Sequence, residues 1–501
     1  MTALSARSES STHGDAAEAM QLSGIGVPRR RAQQHMNIPA LAWCAACALC
    51  AGLCVPRMED AAVDLAIVYF QPLLPPLLML WLWAHNTGCF EDAKLPFEEC
   101  FALKDRRYVI SSGDIQKLAT AFTVVFATWA ALFGAACATR SYALAEYVPL
   151  LLYISTAVLL TLPVAVLARP TRAFFLHTVQ RVLLPVRAVS WADFLLADML
   201  TSLAKSTGDL ARAACFLGTG PSMQHLVSPA FGGPPEVCGP LAPLAMASVC
   251  APYVIRFVQC LLVFRATRNA AQLFNAAKYV SALPALLLTI IEHESHIHSR
   301  PFPKFWVWVC ATSFNTAFSF YWDTEQDWDM PWLAAAFTST GGGSGGSAGS
   351  TPGIIPTSIK GHPGSSSHAL RRWLPLLRPN AVYAPPWYVW ACASNLALRL
   401  SWTYRLVGHG RHAIEASAVA ALVVGMLEVF RRYQWAFIRV ETELRKLKLL
   451  PHAHTSHGYT IAAAADRELM GVHQPPPAAA AAAGAGAQSV GVWAGSAVVL
   501  S

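Results

Sequence analysis

The chain has 501 residues, of which 54% are hydrophobic and only 13% charged, against roughly 25% charged in an ordinary soluble domain. So few polar groups cannot cover the water-facing surface of so long a chain, which excludes an ordinary cytosolic enzyme and points to a polytopic membrane protein. The formal net charge of +8 is spread over 37 Lys and Arg with no dense basic block, which argues against nucleic acid as a partner.

Residues 1–36 are polar and end near Arg29, Arg30 and Arg31. They read as a disordered cytosolic tail flanking a first span, not as a cleavable signal peptide. Ten apolar stretches then approach spanning length: roughly 37–55, 62–84, 116–137, 146–168, 188–206, 241–264, 275–291, 304–322, 387–408 and 412–432. The requirement is about 20 mostly apolar residues. The fifth and seventh are short and polar-spotted, as expected of segments that line a cavity. In the first stretch Cys44, Cys47, Cys50 and Cys54 recur every three or four residues, so they share one helix side and pack as small hydrophobes rather than hold a metal. With the N-terminus inside, most of the Lys and Arg fall in the loops at about 85–115, 169–187, 265–274 and 323–386 and in the two tails. Both termini are therefore expected in the cytosol. Residues 335–369, with GGGSGGSAGSTPG, read as a flexible insert, and 446–501 as a disordered tail.

Ionisable groups inside spanning helices are costly, and each one asks for a partner and a purpose. Asp323 and Asp327, in YWDTEQDWDM, are four apart and share a face. A solvated helix end with Trp322 and Trp328 as an interfacial belt is the competing explanation. Arg399 sits within an apolar run with Trp402 three residues on, and Glu428, Arg431 and Arg432 stand at i, i+3 and i+4. Asp193 and Asp198 fall in the fifth stretch, and Arg256, Arg265, Arg268, Lys278 and Tyr279 around the sixth and seventh. Arg268, Lys278, Arg399, Arg431 and Arg432 outnumber Asp198, Asp323, Asp327 and Glu428 by one charge. Mutual pairing would offset much of the desolvation cost, and the surplus favours an anionic guest. The planar guanidinium fork suits phosphate or carboxylate.

The stretches RPTRAFF (169–175), WADFLLADML (191–200), RFVQCLLVFRATR (256–268), NAAKY (275–279), YWDTEQDWDM (321–330), LRLSW (398–402) and LEVFRRYQWAFIRVETE (427–443) resemble, in order, those of the EXS-domain family. That family includes phosphate exporters first known as retrovirus receptors and the shorter ER-retention-defective proteins. The resemblance implies an all-α polytopic membrane protein with ten transmembrane helices. Residues 37–186 would form N-terminal transmembrane helices, and 187–445 the EXS domain with its six-helix bundle around a phosphate pathway. Carried over residue by residue, the pathway positions are Asp198, Arg268, Lys278, Tyr279, Asp323, Asp327, Arg399, Trp402, Glu428, Arg431 and Arg432. An asparagine usual three residues after the first aspartate is Thr201 here, which puts that contact in doubt. Long members carry a cytosolic SPX domain that senses inositol pyrophosphates. The 36 residues before the first span leave no room for one, so the short, Golgi-associated class and insensitivity to those ligands are expected.

The resulting expectation is a transporter or channel for inorganic phosphate in a Golgi or other endomembrane, without cofactor, metal or enzymatic activity. Its expected partners are phosphate and the bilayer, with a second copy of the chain as a further candidate. A Golgi retention or sorting factor for glycosyltransferases or ER residents is the competing class, and it would work through loops and tails. His293, His296 and His298, with Glu292 and Glu294, read as a solvated loop rather than a metal cluster. Finally, Cys215 and Cys238 flank a Gly- and Pro-rich segment on the non-cytoplasmic side, where an oxidising lumen would let them form a disulfide.

Overall fold

The computed structural model describes residues 38–101, 111–162, 167–185, 188–219, 238–239, 242–295, 302–330, 382–403 and 413–450. The expected N-terminal tail, the 335–369 insert, most of the C-terminal tail and the histidine side chains at 293–298 lie outside the described residues.

Every regular element among the described residues is helical. In chain order they are α1 (Ile38–Cys54), α2 (Asp60–Phe70), α3 (Leu74–Asp92), α4 (Ser112–Ala138), α5 (Tyr142–Thr161), α6 (Arg169–Leu183) and α7 (Trp191–Ser202). Then come α8 (Ala204–Thr219), α9 (Pro243–Thr267), α10 (Ala271–Val280), α11 (Ala282–Ser295), α12 (Phe302–Tyr321), α13 (Pro385–Arg399) and α14 (Ala413–Lys446).

Among the described residues, five helical stretches are long and apolar enough to cross a bilayer, Ile38–Arg57, Asp60–Asp92, Ser112–Ala138, Tyr142–Thr161 and Pro243–Thr267, and they coincide with five of the ten expected spans. Charge enters the helices at most of the other expected spans. The stretch expected at 188–206 is two helices broken at Leu203, and its second half runs on to Thr219. The one at 275–291 is divided at Ser281, and the one at 387–408 stops as an α-helix at Arg399. The last extends through its charges to Lys446.

Local chemistry explains several of these boundaries. Ser190 opens α7 with a capping box: its Oγ accepts from Asp193 N (3.3 Å), and the Asp193 carboxylate accepts from Ser190 N (2.9 Å). Asp193 also receives Arg181 Nε at 2.7 Å, which fastens α6 to α7. The buried Arg172 guanidinium donates to the carbonyls of Leu159, Leu160, Leu162 and Leu167, so it satisfies the acceptors that α5 leaves at its C-terminal end. RPTRAFF is thus a capping device.

Pro252 inside α9 has no N–H for the carbonyl four residues back. That carbonyl, on Ser248, instead accepts from Thr207 Oγ1 of α8 at 2.7 Å. One residue on, a Cβ at Gly208 would stand 2.4 Å from Val249 Cγ2 and 3.2 Å from the Ala245 carbonyl oxygen, so this α8–α9 crossing requires glycine. On α1, Cys47 is buried, and Cys54 packs its Cβ 3.4 Å from where one would stand on Gly134 of α4. Cys50 is exposed.

The described residues form three apolar clusters, the third being the small one of Cys260, Ala276 and Tyr279. Of the two larger cores, one gathers Phe97, Phe101, Trp191, Leu195, Trp328, Trp435 and Ile438, and the other Tyr69, Phe70, Phe133, Leu152, Phe216 and Cys238. The α7–α8 pair runs from the first core into the second, with Asp198 and Ser202 between.

The structure joins Cys215 of α8 to Cys238, with Cα atoms 5.6 Å apart. Thiol-blocked, non-reduced digests should recover the two cysteines in one linked species, whereas labelling of both before reduction would exclude the bridge. On the chain-entropy account, removing it should cost roughly 3 kcal/mol. Gly208→Ala should destabilise the protein by about 1–3 kcal/mol in thermal unfolding. Gly218→Ala, where nothing lies within 4 Å of the added carbon, should leave the unfolding temperature unchanged or slightly raised.

Candidate functional site: a buried carboxylate and guanidinium layer

Where α7 gives way to α8, Asp198 is 2% exposed and takes three donors. Arg432 Nη1 of α14 lies 2.7 Å from Oδ2, while Arg256 Nε of α9 (3.1 Å) and the Tyr279 hydroxyl of α10 (2.5 Å) share Oδ1. One carboxylate therefore ties four helices together. Arg432 Nε also donates to Ser202 Oγ at 3.1 Å, and Nη2 to Thr201 Oγ1 at 3.3 Å. Threonine at 201 thus still meets an arginine through its hydroxyl.

The second node is Asp323, in a six-residue π-helical turn, Trp322–Asp327, that ends the run of α12. Such turns are rare and concentrate at functional sites. Asp323 is 1% exposed. Its Oδ2 receives Arg399 Nη2 (2.5 Å) and Nε (3.1 Å), Arg431 Nη1 (3.1 Å) and Asn395 Nδ2 (3.2 Å). Arg431 turns its other edge to Glu428, with Nε and Nη2 at 2.7 and 2.6 Å from the carboxylate. Glu428 in turn accepts from Ser202 Oγ at 2.7 Å, and this links the two nodes. The reading of Asp323 and Asp327 as a solvated helix end is overturned. Asp327 is also buried, accepting from Trp435 Nε1 at 3.2 Å with Arg439 Nε at 3.8 Å.

Lys278 is buried on α10, with its ammonium 4.4 Å from the Tyr279 ring centroid and 5.3 Å from that of Trp322. Among the described residues it forms no ion pair, although Asp327, Asp198 and Asp323 all act on it electrostatically. Around the two nodes, Arg256, Lys278, Arg399, Arg431 and Arg432 face Asp198, Asp323, Asp327 and Glu428, an excess of one positive charge. Unpaired buried charge is costly, and a bound oxyanion is the complement that would relieve it.

Nine of the eleven expected positions thus come together: Asp198, Lys278, Tyr279, Asp323, Asp327, Arg399, Glu428, Arg431 and Arg432. Two do not. Arg268 is exposed at the left-handed residue that ends α9, with φ of 58°. Trp402 is half-buried, donating Nε1 to Thr316 Oγ1 at 3.1 Å and meeting Trp308 edge-on rather than any residue of the ion pairs among the described residues. The structure adds Arg256, Ser202 and Asn395. Helical spacing could have found the last two, since Ser202 follows Asp198 by four and Asn395 precedes Arg399 by four.

The family model described as the EXS family matches residues 66–445. "SPX and EXS domain-containing protein 1" of Dictyostelium discoideum is 25% identical over 385 residues, 75% of this chain and 37% of that protein. "Phosphate transporter PHO1-2" of Oryza sativa subsp. japonica is 29% identical over 372 residues, 73% of this chain and 38% of that one. "Protein ERD1 homolog 1" of Schizosaccharomyces pombe is 27% identical over 200 residues, 39% of this chain and 43% of that protein. The chain spans less than half the length of each of these relatives. The matched span contains every residue of the buried layer, and the chain belongs to the EXS family.

Proposed function

We propose that the chain moves inorganic phosphate across a membrane through the buried layer, down its gradient. The observation that carries this is the arrangement of Asp198 and Asp323, each clamped by two arginines, beside a buried Lys278 that forms no ion pair among the described residues. In this reading Arg431, Arg432, Arg399 and Lys278 replace the hydration of the anion. Asp198, Asp323, Asp327 and Glu428 hold those cations in place and keep the anion's binding weak enough for release. Tyr279 supplies a hydroxyl, and Trp402 lines the route. The named likeness to a rice phosphate transporter supports the substrate, and the fission-yeast likeness lends support to a Golgi or related endomembrane. Both termini face the cytosol in this scheme, because that side then collects most of the Lys and Arg.

Phosphate flux in proteoliposomes holding the full chain, compared with sulfate and chloride, tests the proposal. Arg431→Ala should lower phosphate flux roughly tenfold or more, the scale of one lost charge-assisted contact of about 1.5–3 kcal/mol. Some loss of stability should accompany it, because Glu428 is left buried without its partner. Normal flux from a folded Arg431→Ala protein would return the chain to the sorting-factor reading. Asp323→Asn, which leaves Arg399 and Arg431 without their carboxylate, should cost stability as well as flux, by about 3–5 kcal/mol. Asp327→Asn keeps an oxygen acceptor for Trp435 and should fold, with its effect confined to phosphate rate or affinity. Unchanged flux at both low and saturating phosphate would remove Asp327 from the pathway.

A further inference from the structure

Arg256 does not belong to the set that family resemblance implies, yet it is 2% exposed and lies at the centre of the Asp198 node. Its guanidinium is fixed on several sides. Nε donates to Asp198 Oδ1 and to the Tyr279 hydroxyl, each at 3.1 Å, and Nη1 donates to Gln259 Oε1 at 2.6 Å. The Phe194 and Tyr279 rings lie 4.5 and 4.9 Å from its central carbon. Gln259 is itself held, donating Nε2 to the Asp193 carbonyl at 3.3 Å. The remaining nitrogen, Nη2, is fully buried and has no hydrogen-bond partner among the described residues. A buried charged donor left unmet is expensive, and native structures rarely keep one without a use.

The rest of the group is rigidly held, so Nη2 has no freedom to find a protein acceptor by rotamer change. Arg256 shares the Tyr279 ring with Lys278, which forms no ion pair among the described residues. Two cations thus sit against one aromatic side chain whose hydroxyl donates to Asp198.

We propose that Arg256 Nη2 is a direct contact for the transported tetrahedral oxyanion, and that with Lys278 it forms a binding position on the Asp198 side of the layer. This rests on the reading of the layer as a phosphate pathway. Arg432 approaches the same carboxylate from α14 and already meets acceptors at Nε, Nη1 and Nη2. Of the two arginines that meet Asp198, Arg256 on α9 is the one that keeps a donor unmet among the described residues. Binding there would exploit the fixed fork of Arg256, which lysine cannot reproduce even while keeping its charge.

The test compares Arg256→Lys, Arg256→Gln and Arg431→Ala in the full chain reconstituted in vesicles, reading half-saturation by phosphate, maximal flux and the phosphate-to-sulfate ratio. Arg256→Lys should fold, raise the half-saturating phosphate concentration about tenfold and alter the ratio, with a smaller change in maximal flux. Arg256→Gln should be worse on both counts. A purely structural role predicts lower yield of folded protein with wild-type half-saturation, and that result overturns the proposal. If Arg431→Ala abolishes flux while Arg256→Lys behaves as wild type, this inference fails and the pathway reading stands. If Arg431→Ala also conducts normally, the pathway reading itself fails. Electron cryomicroscopy of the wild-type chain in phosphate decides the matter without any variant. Oxyanion density within about 3.2 Å of Nη2 supports the contact, and a water or protein acceptor there with no anion overturns it.

Discussion

Asp198 and Asp323 impose the main constraint on this bundle: a carboxylate taken out of water must be surrounded by donors, or the helix carrying it cannot stay buried. Neither aspartate is satisfied from its own helix. Asp198 draws on α9, α10 and α14, and Asp323 on α13 and α14. Their hydrogen bonds thus specify which helices must be neighbours and in what register, something that interchangeable Leu and Ala side chains specify poorly. The apolar cores supply burial, while the charged layer supplies uniqueness.

The interruptions of the helices follow from the same constraint. The break at Leu203, the division at Ser281, the π-helical turn at Trp322–Asp327 and the end of α13 at Arg399 all lie within a few residues of the charged layer. Uninterrupted helices would aim side chains only at the fixed pitch of the helix. A break or a wider turn re-aims a carboxylate or releases backbone groups at that depth, which is tolerated where the surroundings are polar. By contrast α14 runs unbroken for 34 residues and carries Glu428, Arg431, Arg432, Trp435 and Arg439 past both nodes.

Much of this was legible in the sequence. Scarcity of charge indicates the membrane, and the i, i+3 and i+4 pattern of Glu428, Arg431 and Arg432 places acid and base on one face. The WDTEQDWD stretch marks a charged helix end, although the sequence could not say that it is buried, because burial depends on what α13 and α14 bring against it. Arg256 and Arg268 show the limit. Both are arginines in one quoted stretch, twelve residues apart. Only the placement of Asp198 and Tyr279 makes the first a buried clamp, while the second is exposed at a helix end. The helices around the layer read weakly as spans for a related reason: hydropathy penalises the very residues that mark helices lining it.

Arg431 and Arg432 are consecutive on α14, and consecutive helical residues project about 100° apart. One addresses Asp323 and the other Asp198. Any rotation of α14 about its own axis that relaxes one arginine against its aspartate must drag the other by the same angle. The two nodes are therefore geared to a single shaft: on the proposed phosphate reading, an anion that pulled Arg431 away from Asp323 would exert a torque felt at Asp198. A pair of adjacent cations on one helix would then couple the two nodes mechanically, with no separate relay required.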